Sequence, residues 1–135
     1  MKTILADSGP LYALADVSDQ YHSRANRELG VTTARGLSIA VSYTTLCETY
    51  TLVLKRLGRK YAQQWLTEIL AGAVLMNPDA SDYLNAVDLL GRFPDQSITI
   101  VDSVTAVVAL RLKIQVWTFD HHFVTMQAPV WRAQA

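Results

Sequence analysis

Residues 3–15 read Thr-Ile-Leu-Ala-Asp-Ser-Gly-Pro-Leu-Tyr-Ala-Leu-Ala, and this stretch sets the fold. Thr3–Ala6 is a short, mainly apolar run, which predicts a buried strand. Asp7 to Pro10 then predicts a turn into a helix, because proline in a first helical turn lacks only an N–H that would be unpaired there. The helix continues over residues 11–15. A strand that leads directly into a helix predicts that Asp7 lies at the carboxyl end of the first strand.

The same alternation of strand and helix continues along the chain. Further strands are predicted over residues 37–41, 73–76 and 115–118. Helices are predicted over residues 19–29 (ended by Gly30), from a cap at Ser42 to about 57, and over 59–70, 81–90 and 102–112. Residues 97–101 alternate like a strand but run without a break into the last of these helices. The pattern predicts one α/β domain over residues 1–135, with a parallel sheet covered by helices on both faces.

Two of the predicted helices carry apolar stripes that we expect to face the core. On the helix over residues 59–70 and the helix over 81–90, these stripes contain Tyr61, Trp65, Leu66, Ile69 and Leu70, and Tyr83, Leu84, Val87 and Leu90, respectively.

The composition excludes several classes of protein. Half of the residues are hydrophobic and 18% are charged, so the chain can bury a core. No run of 18 apolar residues is present, which argues against a membrane span. The single cysteine, Cys47, cannot form an internal disulfide or a cysteine-based zinc site. This usage fits a reducing compartment, and we expect the cytoplasm.

Four acidic residues stand out by their positions. In open parallel sheets, sites lie beyond the carboxyl ends of the strands, where Asp7 and Asp120 are predicted to lie. Glu48 is the only charge in its helical segment from residue 42 to 54, and Asp102 opens a helix with no other charge until the last turn. An isolated charge inside an apolar segment is costly unless it is paired. A shared divalent metal would satisfy all four carboxylates.

Each acid also has a purely structural explanation. Asp7 and Asp102 could cap helix N-termini, Asp120 could form a turn, and Glu48 could be a solvated acid. The four positions taken together favour a site over four separate accidents.

The motifs around these acids resemble a known family. Its pattern matches Asp7-Ser-Gly-Pro-Leu-Tyr-Ala-Leu14, Ser42 with Glu48, Asp102-Ser-Val-Thr-Ala106, and Thr118-Phe-Asp-His-His-Phe123, with Asp19, His22 and Ala25 on the second helix. In this order and spacing the motifs resemble the PIN domain, and more narrowly the VapC-type toxin ribonucleases, over essentially the whole chain. Gly9-Pro10 is a departure, since many members have a small residue and a leucine there.

The resemblance implies a three-layer α/β/α sandwich with a central parallel sheet and an acidic pocket that holds Mg²⁺ or Mn²⁺. It implies an endoribonuclease that cleaves single-stranded RNA through a metal-activated water, as the toxin of a toxin–antitoxin pair. Asp7, Glu48, Asp102 and Asp120 match the family's catalytic and metal-binding acids. Ser8 and Thr118 match its supporting hydroxyl residues.

Further expectations concern a fifth acid and the partners. Asp95 lies near enough to Asp102 in sequence to be an outside candidate for metal contact. The resemblance also leads us to expect a homodimer and a cognate antitoxin that offers an arginine to the acids, since arginine pairs with carboxylates in bidentate fashion.

The charge balance bears on RNA binding. Twelve basic residues face twelve acidic ones, and without the four candidate acids the balance is twelve against eight, or +4. The candidate RNA contacts are Lys55, Arg56, Arg59, Lys60 and His121. The alternative is that the basic run is a solvated helix end and that His121 and its neighbour His122 are an exposed loop pair.

Three other functions stay open at this point. One is a stand-alone RNA-processing nuclease with the same chemistry. Another is a phosphate-handling α/β domain, such as a phosphatase-like or response-regulator-like protein. Against it, Lys113 is badly placed for such a site and the sequence has no glycine-rich phosphate loop. The third is a protein-binding fold without activity, which the intact set of acids disfavours.

Overall fold

The computed structural model describes residues 2–134, so the predicted domain limits at 1 and 135 lie outside the described residues. Four parallel strands form the central sheet: β1 (Thr3–Ala6), β2 (Ser38–Ser42), β3 (Val74–Met76) and β4 (Gln115–Trp117). Their order across the sheet is β3-β2-β1-β4. The strands predicted over residues 37–41, 73–76 and 115–118 are confirmed to within one residue at each end.

Within residues 2–134, seven helices accompany the strands. They are α1 (Ser8–Ala15), α2 (His22–Ala34), α3 (Tyr43–Leu57), α4 (Arg59–Gly72), α5 (Ala80–Gly91), α6 (Ile100–Leu112) and α7 (His122–Thr125). Ser42 caps α3 as predicted, since its side chain accepts from the Thr45 N–H. Gly58 separates α3 from α4 at φ +93, a conformation that glycine adopts without strain.

The sheet separates two apolar cores, because successive residues of a strand point to opposite faces. Leu5 and Val116 pack with buried residues of α5, α6 and α7. Ile4, Ala6 and Trp117 pack on the other side with buried residues of α1, α3 and α4. The predicted α/β/α sandwich with a central parallel sheet is therefore confirmed.

The strand order places the start of the chain at the centre of the sheet. From β1 the chain moves outward through β2 to β3, then returns to pair β4 on the other side of β1. Ala6 aligns with Trp117 across this junction. A crevice forms where the strand order reverses, and β1 and β4 both point their carboxyl ends into it.

Three predicted element boundaries were wrong. Helix α2 begins at His22, three residues after its predicted start. Helix α2 continues through Gly30 to Ala34, and the chain instead turns at Gly36, where φ is +66. Residues 97–99 form no strand. Instead, Thr99 and Asp102 form a capping box, in which each side chain accepts a hydrogen bond from the other residue's backbone N–H. Helix α6 therefore begins at Ile100, two residues before its predicted start.

The apolar stripe predicted for α5 does not face the core. Tyr83, Leu84 and Val87 are 37%, 69% and 58% exposed, and the helix instead buries Asp82, Ala86 and Leu89. The reason is that the buried Asp82 forms a two-bond ion pair with the partly exposed Arg111 of α6, at 2.7 and 2.8 Å, which fixes the rotation of the helix.

The stripe predicted for α4 is only partly buried. Tyr61 and Leu70 are 52% and 56% exposed, whereas Trp65 is buried. Across the described residues, no helix has both the length and the apolar character needed to cross a membrane.

Candidate active site

Asp7 lies at the bottom of the crevice between β1 and β4. It directly follows β1, and its backbone N–H donates to the Trp117 carbonyl at 2.9 Å, which extends the pairing of the two strands by one residue. Only 3% of the residue is exposed. Its Oδ2 accepts from the Thr118 hydroxyl at 2.8 Å, whereas its buried Oδ1 has no hydrogen-bond partner among residues 2–134.

Asp120 enters the crevice from the loop after β4. The Thr118 hydroxyl accepts from the Asp120 N–H at 2.9 Å while it donates to Asp7, so one side chain positions both acids. Asp120 Oδ1 accepts from the His122 N–H at 2.9 Å. The Asp120 side chain is 33% exposed and forms the open wall of the site.

Asp102 and Glu48 come from helices α6 and α3. The Asp102 side chain accepts from the Thr99 N–H at 3.2 Å, which holds the carboxylate in one orientation. Glu48 is half-buried in the second turn of α3, and a hydrogen bond with the Ser8 side chain lowers its pKa in opposition to the effect of burial. The chain thus places all four predicted acids, with Ser8 and Thr118 beside them, around one crevice.

Burial and mutual repulsion raise the pKa of three of these acids. Burial and then the Asp102 charge raise the pKa of Asp7 from 3.8 to about 7, although the Thr118 hydrogen bond acts to lower it. Burial is also the main cause that raises the pKa of Asp102 and of Glu48. Repulsion from Asp120 contributes at Asp102, and repulsion from Asp102 contributes at Glu48. Asp102 therefore interacts with each of the other three acids.

The donor set fits a divalent cation with oxygen ligands. A buried carboxylate oxygen without a partner is costly, and a cation at Asp7 Oδ1 would remove that cost. In the described part of the chain, no three of the four acids bring ligand atoms within 4.8 Å of one another; Asp120, His121 and His122 do. Mg²⁺ keeps several waters and needs only one or two direct carboxylates, so the wider spacing of the acids suits it.

The purely structural explanations account for the four acids only in part. Asp7 occupies the N-cap position of α1, but its side chain makes no capping hydrogen bond. Asp102 does belong to a capping box, and Asp120 accepts from the N–H two residues on, as a turn-forming aspartate does. Neither explanation accounts for the burial of Asp7 or for the contact of Glu48 with Ser8.

Four of the five predicted RNA contacts lie at the end of α3 and the start of α4, where Lys55 lines a groove with Glu48. Lys55 and Arg56 are exposed on the last turn of α3, and Arg59 and Lys60 are exposed on the first turn of α4. The Arg56 guanidinium lies 5.0 Å from the Tyr12 ring centroid. Their role in RNA binding stays a prediction.

The remaining candidates lie on loops. His121 is exposed beside Asp120, with its ring centroid 4.3 Å from that of His122. Asp95 is exposed between α5 and α6, and its charge is not among those that shift the pKa values of Asp7, Glu48 and Asp102.

The sequence did not reveal a second layer of buried polar residues behind the acids. Glu28 of α2 is 6% exposed and accepts from Trp117 Nε1 at 2.8 Å and from Arg24 Nε at 2.9 Å. The spacing of Arg24 and Glu28, four residues apart on a helix, was an available signal for that pair. The contact with Trp117, 89 residues away, has no local signal.

Solved structures share this fold although no family model and no curated protein sequence matches the chain. VapC20 of Mycobacterium tuberculosis, a sarcin–ricin loop cleaving toxin, superposes with a TM-score of 0.83 at 24% identity, over 96% of this chain and 98% of that one. A chain of VapBC2 from Rickettsia felis, solved with a DNA fragment from its promoter, gives 0.75 at 15% identity over 96% and 97%.

VapBC-1 from nontypeable Haemophilus influenzae gives a TM-score of 0.70 at 12% identity, over 96% of each chain. At these identities the comparison establishes the fold, and it extends over nearly the full length of each chain. The chain therefore shares the fold of these VapC and VapBC structures.

Proposed function

We propose that the chain is a divalent-metal-dependent endoribonuclease that cleaves single-stranded RNA and acts as the toxin of a toxin–antitoxin pair. The observation that carries the proposal is the unpartnered, buried oxygen of Asp7, which lies among three further carboxylates at the switch point of the sheet. The likeness in fold to a toxin that cleaves an RNA loop supports the choice of substrate.

The protein groups prepare this site in three ways. Thr118 holds Oδ2 of Asp7 and thereby leaves Oδ1 free. Ser8 holds Glu48, and Thr99 holds Asp102, so the carboxylates stay in place despite their repulsion. A divalent cation, when bound at Asp7, Glu48, Asp102 and Asp120, supplies positive charge against the scissile phosphate and lowers the pKa of a water. Without that charge, the four acids would repel the RNA backbone.

Metal binding and cleavage test the proposal together. We expect Asp7→Asn, Glu48→Gln, Asp102→Asn and Asp120→Asn each to weaken Mn²⁺ binding and to slow RNA cleavage by about a hundredfold or more. Asp88 is exposed on α5, and Asp88→Asn is the matched control that should change neither property. Wild-type cleavage by the Asp7→Asn and Asp102→Asn variants would contradict the proposed mechanism.

We expect the antitoxin to bind in an apolar groove. It has a volume of about 440 Å³, lies between α1, α2 and α4, and is lined by Leu11, Leu14, Ile39, Trp65 and Ile69 among others. Such grooves bind the apolar face of an amphipathic helix. Leu11 is one helical turn from Asp7, so a segment bound here can extend an arginine to the acids.

Expression in cells tests the antitoxin. We expect toxicity that the product of an adjacent small gene relieves. Relief should be lost when Tyr61→Arg places a charge at an exposed residue of the groove lining, although the toxicity itself remains. Toxicity that no adjacent small gene relieves would favour the stand-alone RNA-processing nuclease.

A second apolar surface supports the proposed homodimer. The exposed residues Tyr83, Leu84 and Val87 of α5 share one side of the molecule with a groove that Tyr43 and Val101 line beside Glu48. Exposed apolar patches of this kind mark protein interfaces. A dimer formed here would place the two acidic pockets next to the interface.

The phosphate-handling alternative loses support from the position of Lys113. That lysine lies with Lys2 and Arg35 at the amino-terminal edge of the sheet, whereas the acids lie at the carboxyl edge. It therefore cannot assist a phosphate bound at Asp7.

A further inference from the structure

A stack of three side chains stands beside the acids and has no part in the metal site. Phe119 lies in the loop after β4, between Thr118, which positions the acids, and Asp120, which is one of them. Its ring centroid is 5.0 Å from that of Tyr21, and the Arg24 guanidinium carbon is 4.4 Å from the same centroid. A Cβ on Gly9 would lie 4.0 Å from the Phe119 ring, so the ring also rests against the first turn of α1.

The buried Glu28 holds the Arg24 guanidinium in place. Its Nε donates to Glu28 at 2.9 Å, and the other oxygen of Glu28 accepts from Trp117 at 2.8 Å in the core. The two terminal nitrogens of Arg24 have no hydrogen-bond partner in residues 2–134. The Arg24 side chain is still 40% exposed, so an oriented, planar cation with free donors lies at the surface over the Phe119 ring.

A cleft joins this stack to the candidate active site. It has a volume of about 170 Å³, and its lining includes Arg24, Phe119, Asp120, His121 and Arg132. That volume is below the 300–1,000 Å³ typical of sites for drug-sized ligands, so the cleft suits part of a nucleotide, such as a phosphate. Two arginines and one acid line it, so the surface changes from acidic to basic within a few ångströms of Asp120.

Neutralisation of the buried Glu28 accounts for the charge of Arg24 but not for its exposure or its stacking. A lysine would neutralise Glu28 equally well, whereas only a guanidinium offers a flat face that is more weakly hydrated than an ammonium. Single-stranded RNA is bound by stacking of unpaired bases on aromatic rings and on arginine planes, together with contacts to phosphate.

We propose that Arg24, supported by Phe119 and Tyr21, is a nucleotide subsite that binds one unpaired RNA nucleotide next to the acids. The base stacks on the open face of the guanidinium, and the terminal nitrogens bind a phosphate. This inference rests on the proposed function for its ligand class. In the proposed subsite, Arg24 selects RNA with unpaired bases. The basic run from Lys55 to Lys60 does not provide this selection.

Binding in chelator tests the subsite without cleavage. The probes are a fluorescein-labelled oligouridylate and an abasic oligonucleotide of the same length, with folding of each variant verified by circular dichroism. We expect the wild type to bind the base-bearing probe about tenfold more tightly, since one stacked base contributes on that order. Arg24→Lys keeps the charge and should reduce this preference to about twofold or less, with abasic binding retained.

Further variants separate stacking from charge. Phe119→Leu and Tyr21→Leu should also reduce the preference, because they remove the support, and Tyr21 is exposed enough to tolerate the change. Arg24→Gln should weaken binding of both probes. Arg27→Lys is the matched control on the exposed side of α2 and should change nothing.

Two outcomes would overturn the subsite: an undiminished preference in Arg24→Lys and Tyr21→Leu, or a wild type that does not distinguish the probes. The measurement is independent of catalysis. If the preference depends on Arg24 but no RNA is ever cleaved, the proposed function fails and the subsite stands. If cleavage is metal-dependent but the preference ignores Arg24, only the subsite fails.

Discussion

Asp7 should make the metal-free protein less stable as the pH rises. Its pKa is about 7 in the folded chain against 3.8 for the ordinary side chain, so the folded state holds a proton that the unfolded state has released between these values. Stability from this group is therefore fully present below pH 3.8 and is lost as the pH rises through 7. At about 1.4 kcal/mol per pH unit, the loss amounts to roughly 4 kcal/mol.

Asp7→Asn removes this titration, because an amide stays neutral and can still accept from Thr118. In chelator at pH 8 the variant should be more stable than the wild type by about 2–4 kcal/mol, which corresponds to a melting temperature higher by roughly 10 °C for a chain of this size. At pH 4 the two proteins should melt within a few degrees of each other. Added Mg²⁺ should raise the wild-type melting temperature at pH 8 and leave that of the variant nearly unchanged.

The assay is thermal denaturation followed by circular dichroism from pH 4 to pH 8, with and without Mg²⁺. Asp88→Asn is the control and should follow the wild type throughout. The reasoning is refuted if Asp7→Asn and the wild type change in parallel with pH, or if the variant melts several degrees lower at pH 8.

Three other predictions concern the basic run, the exposed apolar surface of α5 and the ion pair of Asp82 with Arg111. If the basic run binds RNA, Lys55→Glu with Arg59→Glu should make the slope of log affinity against log salt concentration shallower by about 1.4, at roughly 0.7 per phosphate contact. An unchanged slope, measured as RNA affinity over a series of salt concentrations, would identify the run as a solvated helix end. Leu84→Arg should convert the proposed homodimer to monomer in light scattering, and a wild type that is already monomeric at high concentration would contradict the dimer. Arg111→Met should destabilise the fold at neutral pH in denaturant titration, because it leaves the buried Asp82 carboxylate without its cation. The penalty should shrink below pH 4 as Asp82 is protonated; a loss that is the same at pH 3 and pH 7 would show that the ion pair is not its cause.

The sequence predicted the centre of the molecule better than its periphery. Strand β1 and the position of Asp7 followed from a run of apolar residues and one proline, both of which act locally. The four acids could be grouped because parallel strands end at a common edge, a rule that converts chain order into spatial proximity.

The faces of the outer helices could not be predicted in the same way. On α5 the apolar stripe implied burial of Tyr83 and Leu84, but the ion pair of Asp82 with Arg111, 29 residues away, rotates the helix the other way. Gly30 gave a local signal for a helix end, but the helix continues to Ala34 and buries Thr32, despite a penalty of about 1 kcal/mol for glycine within a helix. Long-range pairs of this kind leave no periodic signal in the sequence.

The dependence of RNA cleavage on a divalent cation tests the central claim most directly. Purified wild-type protein is incubated with single-stranded RNA in Mg²⁺, then in excess chelator, then with Mg²⁺ restored. We expect cleavage to stop in chelator and to return with the cation, because Asp7 and the three carboxylates around it then bind it. Full cleavage in excess chelator would contradict the assignment of Asp7, Glu48, Asp102 and Asp120 as a metal-dependent catalytic site.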